Sequence, residues 1–329
     1  MVMIDLSTSY LGLDLKCPLV VGSCGLTNSV KKIREIAEAG AGAVVLKSLF
    51  EEQIVAELGH NLESYEAGYP DAVDYIREYT RDATVEKYLD LVSAAKKAVD
   101  IPVIASLNCV SANEWTSFAT QIEKAGADAI ELNISLLPSD PRMSGAEAEK
   151  KYTEIIDKVA STVSVPLSLK MSQFSSGLAH LLTHLGWKQN INGFVLFNRY
   201  YRPDIDIDKM TITSADIFSN PSEMHESLRW VALLSDRIEK DFVASTGIYD
   251  GAALIKQLLA GATAAQIVSA LYKNGIPYIG VLLEELKQWM EEKSFSRVDD
   301  FRGKLSYSNI ENPAVFERTQ FMKYYGGVS

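Results

Sequence analysis

The sequence predicts an α/β chain closed into a (β/α)8 barrel, and three observations carry that prediction. First, Glu38-Ala39-Gly40-Ala41-Gly42-Ala43-Val44-Val45-Leu46, Lys124-Ala125-Gly126-Ala127-Asp128-Ala129-Ile130-Glu131-Leu132 and Leu259-Ala260-Gly261-Ala262-Thr263-Ala264-Ala265-Gln266-Ile267 share one pattern. In each, a helical run stops at a glycine suited to the left-handed conformation and an apolar, strand-like run follows. Second, Val99-Asp100-Ile101-Pro102-Val103 and Val163-Ser164-Val165-Pro166-Leu167 put proline at a strand mouth, where it blocks continuation of the preceding helix. Third, the strand runs are short and continuously apolar, as strands buried on both faces of a parallel sheet are.

Taken in order, Tyr10-Leu11-Gly12-Leu13-Asp14-Leu15 reads as a hairpin placed to plug the barrel bottom. Strands are expected near 18-22, 43-47, 102-107, 129-134, 166-171, 193-197, 242-246 and 265-269. Helical spacing links Val30, Ile33, Ile36 and Ala37; Val85, Tyr88, Leu89, Val92 and Val99; Trp115, Phe118, Ala119 and Ile122; and Ile279, Leu282, Leu283, Leu286, Trp289 and Met290. Two long excursions, 48-82 and 199-225, follow strands two and six, and long loops there lie over the active face of a barrel. The tail from Ser294 to Ser329 carries Phe316, Phe321, Tyr324 and Tyr325, aromatic area for packing on the barrel or on a second subunit. No Pro/Gly/Ser-rich linker divides the chain, so residues 1-329 are expected to form one domain with 294-329 as a C-terminal extension.

With 329 residues, 47% hydrophobic and 23% charged, the chain can bury a full core. A net charge of -11 repels nucleic-acid phosphates and anionic lipid surfaces, so neither is an expected partner. No apolar run approaches the roughly 18 to 20 residues that span a bilayer, and Met1 to Ser9 lacks a secretory signal pattern, so a cytoplasmic location is expected. The three cysteines, Cys17, Cys24 and Cys109, have neither disulfide nor iron-sulfur spacing. Redox chemistry in this chain therefore calls for an organic cofactor. His180 and His184 have the spacing of a metal pair, but Leu181 stands where a zinc-protease helix has glutamate. They read as a helix surface, and no metal is expected.

Side chains at the carboxyl ends of barrel strands converge on one pocket. Here those ends supply Gly22-Ser23, Lys47-Ser48, Asn108, Glu131, Asn133, Lys170, Asn198, Thr246-Gly247 and Ser269. Alone, either lysine reads as a surface residue and Gly22 or Gly247 as a turn glycine. Together they suit a planar, anionic, phosphate-bearing ligand, with the late strands as the phosphate cradle.

The motifs Leu46-Lys47-Ser48, Glu131-Leu132-Asn133-Ile134-Ser135, Ser168-Leu169-Lys170, Phe197-Asn198, Ser245-Thr246-Gly247-Ile248-Tyr249-Asp250-Gly251 and Gln266-Ile267-Val268-Ser269-Ala270-Leu271 resemble those of the dihydroorotate dehydrogenase family of FMN-containing TIM barrels. The resemblance runs from Leu11 to Leu305. It implies that Gly22, Ser23, Lys47, Ser48, Asn108, Asn133, Lys170 and Asn198 line the flavin ring and ribityl chain, and that Thr246, Gly247, Val268 and Ser269 surround the phosphate. It further implies a catalytic, electrostatic role for Lys170. An ammonium about 4 Å from the N1–C2 edge at an effective dielectric near 20 contributes on the order of 4 kcal/mol. That bounds the upward shift in potential at about 90 mV.

The departures from the family are specific. Soluble single-subunit members carry Asn-x-Ser-Cys-Pro-Asn after strand four, with cysteine as the base. Here Leu136 occupies the cysteine position and Pro138 replaces a pyrimidine-holding asparagine. Tyr65-Glu66-Ala67-Gly68-Tyr69-Pro70-Asp71 stands for the usual Asn-x-Met-Gly-Leu-Pro-Asn substrate loop, leaving Asn133 and Asn198 as the substrate asparagines. Water, Ser135, Cys109 or Asp71 is then the candidate proton acceptor. Thr246 and Val268 replace phosphate-site glycines, which narrows the cradle.

The expected function is an FMN-dependent oxidoreductase acting on CH–CH groups, with dihydroorotate, a related dihydropyrimidine or another small cyclic or conjugated molecule as substrate. A soluble electron acceptor or donor would complete the cycle, and the resemblance implies a homodimer. Two alternatives stand beside it: a Schiff-base lyase or aldolase using Lys170 or Lys47, and a non-catalytic flavin-binding protein.

Overall fold

The computed structural model describes residues 4–50, 70–108, 112–134 and 137–318. The chain opens with an antiparallel hairpin of β1 (Thr8–Tyr10) and β2 (Leu13–Leu15). Then come β3 (Leu19–Val21), β4 (Ala43–Val45), a two-residue β5 (Leu49–Phe50), β6 (Val103–Asn108), β7 (Ala129–Asn133), β8 (Leu167–Met171) and β9 (Ile191–Leu196). A second hairpin, β10 (Pro203–Asp206) with β11 (Thr211–Ser214), precedes β12 (Asp241–Ser245) and β13 (Ala264–Ile267). All neighbours in the main sheet run parallel, and β13–β3 and β4–β6 pairings close it into an eight-stranded barrel. The eight predicted strands are these eight, displaced by a residue or two at their ends. The short β5 continues the rim beyond β4 by pairing with Leu107 and Asn108.

The joints behave as their residues require. Gly40, Gly126 and Gly261 end helices at φ of 101°, 96° and 111°, a region closed to most side chains. Behind Pro102 and Pro166, β6 and β8 begin one residue on. The helix Gly251–Ala260 starts with the Asp250 carboxylate accepting from the Ala253 N–H at 2.7 Å, and Gly145–Ala160 starts with a Ser144/Glu147 capping box.

Side-chain alternation divides the barrel interior along its axis. Val20, Val45, Ile104, Val195 and Val243 point inward in the lower half and pack with Tyr10, Leu11 and Leu15 of the first hairpin. The hairpin thus plugs the bottom, as its sequence pattern predicts. It is latched there by the Leu11 N–H donating to Asp241 Oδ2 at 2.7 Å. A Cβ on Gly193 would come within 2.9 Å of Leu11 Cδ2, so that position has room only for hydrogen. The outward-facing strand residues pack under the helices in a second, larger core.

Three expectations need adjustment. The excursion 48-82 is not loop throughout: a 29-residue helix, Pro70–Ala98, begins inside it, with proline at its first position where no intrahelical N–H is needed. It ends at Ala98, so Val99 lies just beyond it. The excursion 199-225 contains the β10–β11 hairpin and a 3-10 turn, Pro221–Glu223, leading into the helix Met224–Leu234. The tail packs on the barrel at its start, where Val298 and Phe301 are fully buried and Asp5 N–H donates to Ser296 O. Phe316 adds a partly buried contact, while Phe321, Tyr324 and Tyr325 lie outside the described residues. His180 and His184 lie on the helix Leu178–Gly186, their rings 4.4 Å apart and His184 against Trp187.

Candidate active site

Two residues further along the strands that supply the apolar plug, the inward positions turn polar. Ile104 is followed by Ser106, Ala129 by Glu131 and Ala264 by Gln266, with Ser168 and Lys170 inward on β8. Each of these is buried, Glu131 completely. A charge so placed persists only with partners. Lys170 Nζ lies 3.4 Å from Glu131 Oε1 and donates to Gln266 Oε1 at 2.9 Å, while Gln266 Nε2 donates to Glu131 Oε2. Gln266 thereby bridges both members of the ion pair.

A second network sits beside it. Asn133 Nδ2 donates to Ser106 Oγ at 2.9 Å, the Ser106 and Ser48 hydroxyls are 2.7 Å apart, and Ser48 and Ser23 hydroxyls 3.0 Å apart. Tyr88 anchors it from the outer helix layer, donating to Ser106 O and accepting from Ser106 N. Asn133 Oδ1 is buried and has no hydrogen-bond partner among the described residues. An acceptor in that state suits a ligand N–H.

A cavity of about 220 Å³ opens from this polar layer, lined by Ser23, Lys170 and Asn198 together with Thr246, Gly247 and Ser269. Ligand pockets typically span ~300–1,000 Å³, so this cavity is smaller than a site that encloses a whole drug-sized ligand. Thr246 and Gly247 both have φ of 77°. For a β-branched threonine this is a costly conformation, of order 1–3 kcal/mol, and such strain is retained where surrounding structure imposes it. Its hydroxyl donates to Phe197 O at 3.3 Å, tying the turn to the end of β9. At Gly247 a Cβ would lie 2.4 Å from Met224 N, so a side chain is excluded on steric grounds as well.

Of the residues expected from sequence, Ser23, Lys170, Asn198, Thr246, Gly247, Val268 and Ser269 therefore share one cavity wall. Ser48 and Asn133 join it through Ser23. Gly22 lies beneath, where a Cβ would touch Val268 Cγ2 at 3.0 Å and Gln266 Oε1 at 3.2 Å. Lys47, half-buried two residues beyond β4, and Asn108, the last residue of β6, are not among the residues that line this cavity. Leu136 and the acceptor candidates Ser135 and Cys109 lie outside the described residues, as do residues 65–69 and the side chain of Asp71. Cys24 offers no activated thiol, because burial pushes its pKa up against the bonds from Leu26 and Thr27 that lower it.

Gln266, Ser219 and Arg199 add to the strand-end residues expected from sequence, and Glu131, expected among those ends, adds its pairing with Lys170. Gln266 and Glu131 were visible as polar residues at inward positions of apolar strands; their pairing with Lys170 was not. Ser219 and Arg199 belong to the excursion after β9, where no periodicity signals a role. Glu131 also alters the expected electrostatics. Lys170 is half of a buried ion pair rather than an isolated cation, so its effect on a neighbouring anion falls below the 4 kcal/mol ceiling of a lone ammonium near 4 Å at an effective dielectric near 20.

The donor set matches FMN. Lys170 has an N–H beyond those used by Glu131 and Gln266, Ser23 and Asn198 supply neutral polar groups, and the Ser269 hydroxyl lines the same cavity beside Gly247, whose N–H donates to Ser219 Oγ. Fold and site together define a (β/α)8 barrel with a polar, cation-bearing pocket at the carboxyl ends of its strands. The family model described as dihydroorotate dehydrogenase matches residues 5–290. The chain belongs to the dihydroorotate dehydrogenase family, whose members are flavoproteins. It is 27% identical over 316 residues to a dihydroorotate dehydrogenase B (NAD(+)), catalytic subunit, of Thermoplasma volcanium, covering 92% of this chain and 98% of that one. The corresponding subunit of Pyrococcus furiosus is 26% identical over 303 residues, 89% and 96% of the two chains. A dihydroorotate dehydrogenase A (fumarate) of Lactococcus lactis subsp. lactis is 24% identical over 333 residues, 91% and 99%. Among the described residues no helix is long and apolar enough to cross a membrane.

Proposed function

We propose that this chain is an FMN-dependent oxidoreductase acting on CH–CH groups of a small cyclic or conjugated molecule, with dihydroorotate and related dihydropyrimidines among the candidate substrates. The observation that carries this reading is the single cavity joining Lys170 and Ser23 to the Thr246–Gly247 turn and Ser269. When bound, FMN supplies hydride transfer at its N5 position. Lys170 would offer its remaining N–H to the cofactor's anionic edge, held in place by Glu131 and Gln266. Ser23, Ser48 and Asn108 would line its ring and ribityl chain with Lys47 at the rim, and Gly247, Val268 and Ser269 would take the phosphate. Asn133 and Asn198 would orient the substrate, with Asn133 Oδ1 accepting a substrate or cofactor N–H.

Leu136 carries no atom that takes up a proton, and loss of a general base typically costs ~10²- to 10⁴-fold in rate. Dihydroorotate is therefore expected to be a slow substrate beside a molecule whose oxidation needs no cysteine base. The named relatives differ in oxidant, NAD(+) or fumarate, and a soluble acceptor or donor is the corresponding partner here. We read residues 1–329 as one cytoplasmic FMN-binding domain acting as a homodimer. The exposed Ile205, Ile212 and Met210 on the β10–β11 hairpin support the dimer, because a two-stranded hairpin with apolar side chains in water is poorly stable alone.

The Schiff-base alternative loses support at Lys170, whose ammonium is paired with Glu131 and donates to Gln266, and borohydride trapping with keto acids tests it at Lys47. Anaerobic titration of the FMN-loaded protein with dihydroorotate and dihydropyrimidines tests the reading. Bleaching of the flavin spectrum by one of them, with reoxidation by a selective acceptor among fumarate, oxygen and quinones, is expected. No bleaching and no selective reoxidation would leave a flavin-binding protein without this activity.

A further inference from the structure

Arg199 follows Asn198 at the end of β9, and its guanidinium is engaged inside the protein. Nη1 donates to Ile217 O at 2.9 Å, Nη2 to Asp216 O at 2.7 Å and Nε to Glu223 Oε2 at 3.1 Å. The same Glu223 oxygen accepts from Arg202 Nη2 at 2.8 Å, and Glu223 Oε1 accepts from the Asn220 N–H at 2.8 Å. The segment 216–220 is thus pinned at both ends, by the guanidinium on two carbonyls and by the paired carboxylate on an amide.

Ser219 lies between the pins and is 4% exposed. Its Oγ accepts from the Gly247 N–H at 3.4 Å, its N–H donates to Ser269 Oγ at 3.1 Å, and its carbonyl accepts from the Tyr249 hydroxyl. It therefore contacts Gly247 and Ser269 at once, accepting from one and donating to the other, and lines the cavity with both of them and with Arg199. The neighbouring chain leaves no slack: a Cβ on Gly247 would also come within 3.0 Å of Asn220 O.

The geometry points to Arg199 as a positioning residue for phosphate selectivity: it holds 216–220 so that Ser219 closes the Gly247–Ser269 cradle around the cofactor's phosphate. This rests on the FMN reading. A planar fork is needed, because two carbonyls and a carboxylate are contacted in fixed directions that a lysine ammonium does not reproduce. Without the clamp, the segment must be ordered at the expense of binding, and only ligands that use the cradle feel that cost.

The test compares dissociation constants for FMN and riboflavin on the full chain, for the wild type, Arg199→Lys and Arg199→Ala. The wild type is expected to prefer FMN. Both variants should lose FMN affinity by about tenfold or more, with riboflavin affinity within about twofold of wild type, so that the preference collapses. Ser219→Ala keeps the clamp and should lose part of the same preference, which gives a readout even where an Arg199 variant folds poorly. Equal losses for both ligands, or an unchanged FMN preference across Arg199→Lys and Ser219→Ala, would overturn the clamp. A wild type that binds neither ligand would instead sink the FMN reading itself.

Discussion

The lower and upper halves of the barrel interior are built by the same strands with the same alternation, yet one is hydrocarbon and the other polar. Below, Val20, Val45, Ile104 and Val243 close on Tyr10, Leu11 and Leu15. Above, Glu131, Lys170 and Gln266 form a bridged ion pair beside the hydroxyls of Ser48 and Ser106. The difference teaches that fold and chemistry are separated by one step of two residues along β6, β7 and β13, from Ile104 to Ser106, Ala129 to Glu131 and Ala264 to Gln266. Burial in the lower half contributes stability directly. Burial in the upper half costs desolvation that is only offset while every partner is present.

That contrast can be broken at either end. The largest effect is expected from Lys170→Met, which strands the Glu131 carboxylate in the interior and should destabilise by about 3–5 kcal/mol in urea denaturation. Adding Glu131→Gln to it should restore most of the loss. If the double variant is no better than the single one, the ion pair is not what the upper half depends on. Leu15→Ala removes a 1% exposed side chain from the plug and should cost about 2–5 kcal/mol. Unlike the Lys170 variants, it should leave flavin affinity unchanged, and a matched loss of affinity would show that the two halves are coupled.

The smallest expected effect is in pH dependence at the hairpin latch. Burial holds the Asp241 carboxyl above its ordinary value of 3.8, against the lowering bonds from Leu11 and Thr263. The folded state therefore keeps the proton more readily than the unfolded chain. The sign follows: this group's contribution to stability falls as pH rises from 3.8 through the raised value, where the folded carboxyl must ionise. Thermal melts of wild type and Asp241→Asn across that acidic range should differ in slope, with wild type losing stability relative to the variant as pH rises. Parallel curves would contradict the assignment.

Much of this layout was legible in the sequence because the informative residues are local. Gly40, Gly126 and Gly261 mark helix ends, Pro102 and Pro166 mark strand mouths, and Tyr10 to Leu15 marks the plug. Lys170, Asn198, Thr246, Gly247 and Ser269 could be gathered because a barrel brings strand ends together whatever their separation in the chain. The remainder depends on contacts between distant loops. Ser219 reaches Gly247 and Ser269 through an excursion without periodicity, and Arg199 grips carbonyls 17 and 18 residues away, which no spacing rule encodes. The periodicity of Val85, Tyr88, Leu89 and Val92 marks the later part of the helix Pro70–Ala98, while the loop-motif reading of Tyr65 to Asp71 hides its start at Pro70.

The most direct test of the central claim is flavin retention after reconstitution with FMN and desalting, quantified from the absorption spectrum of the full chain. The account predicts one FMN per wild-type chain and a clear loss of retention in the folded Lys170→Met/Glu131→Gln double variant. Free FMN running apart from wild-type protein, or equal retention by both proteins, would contradict it.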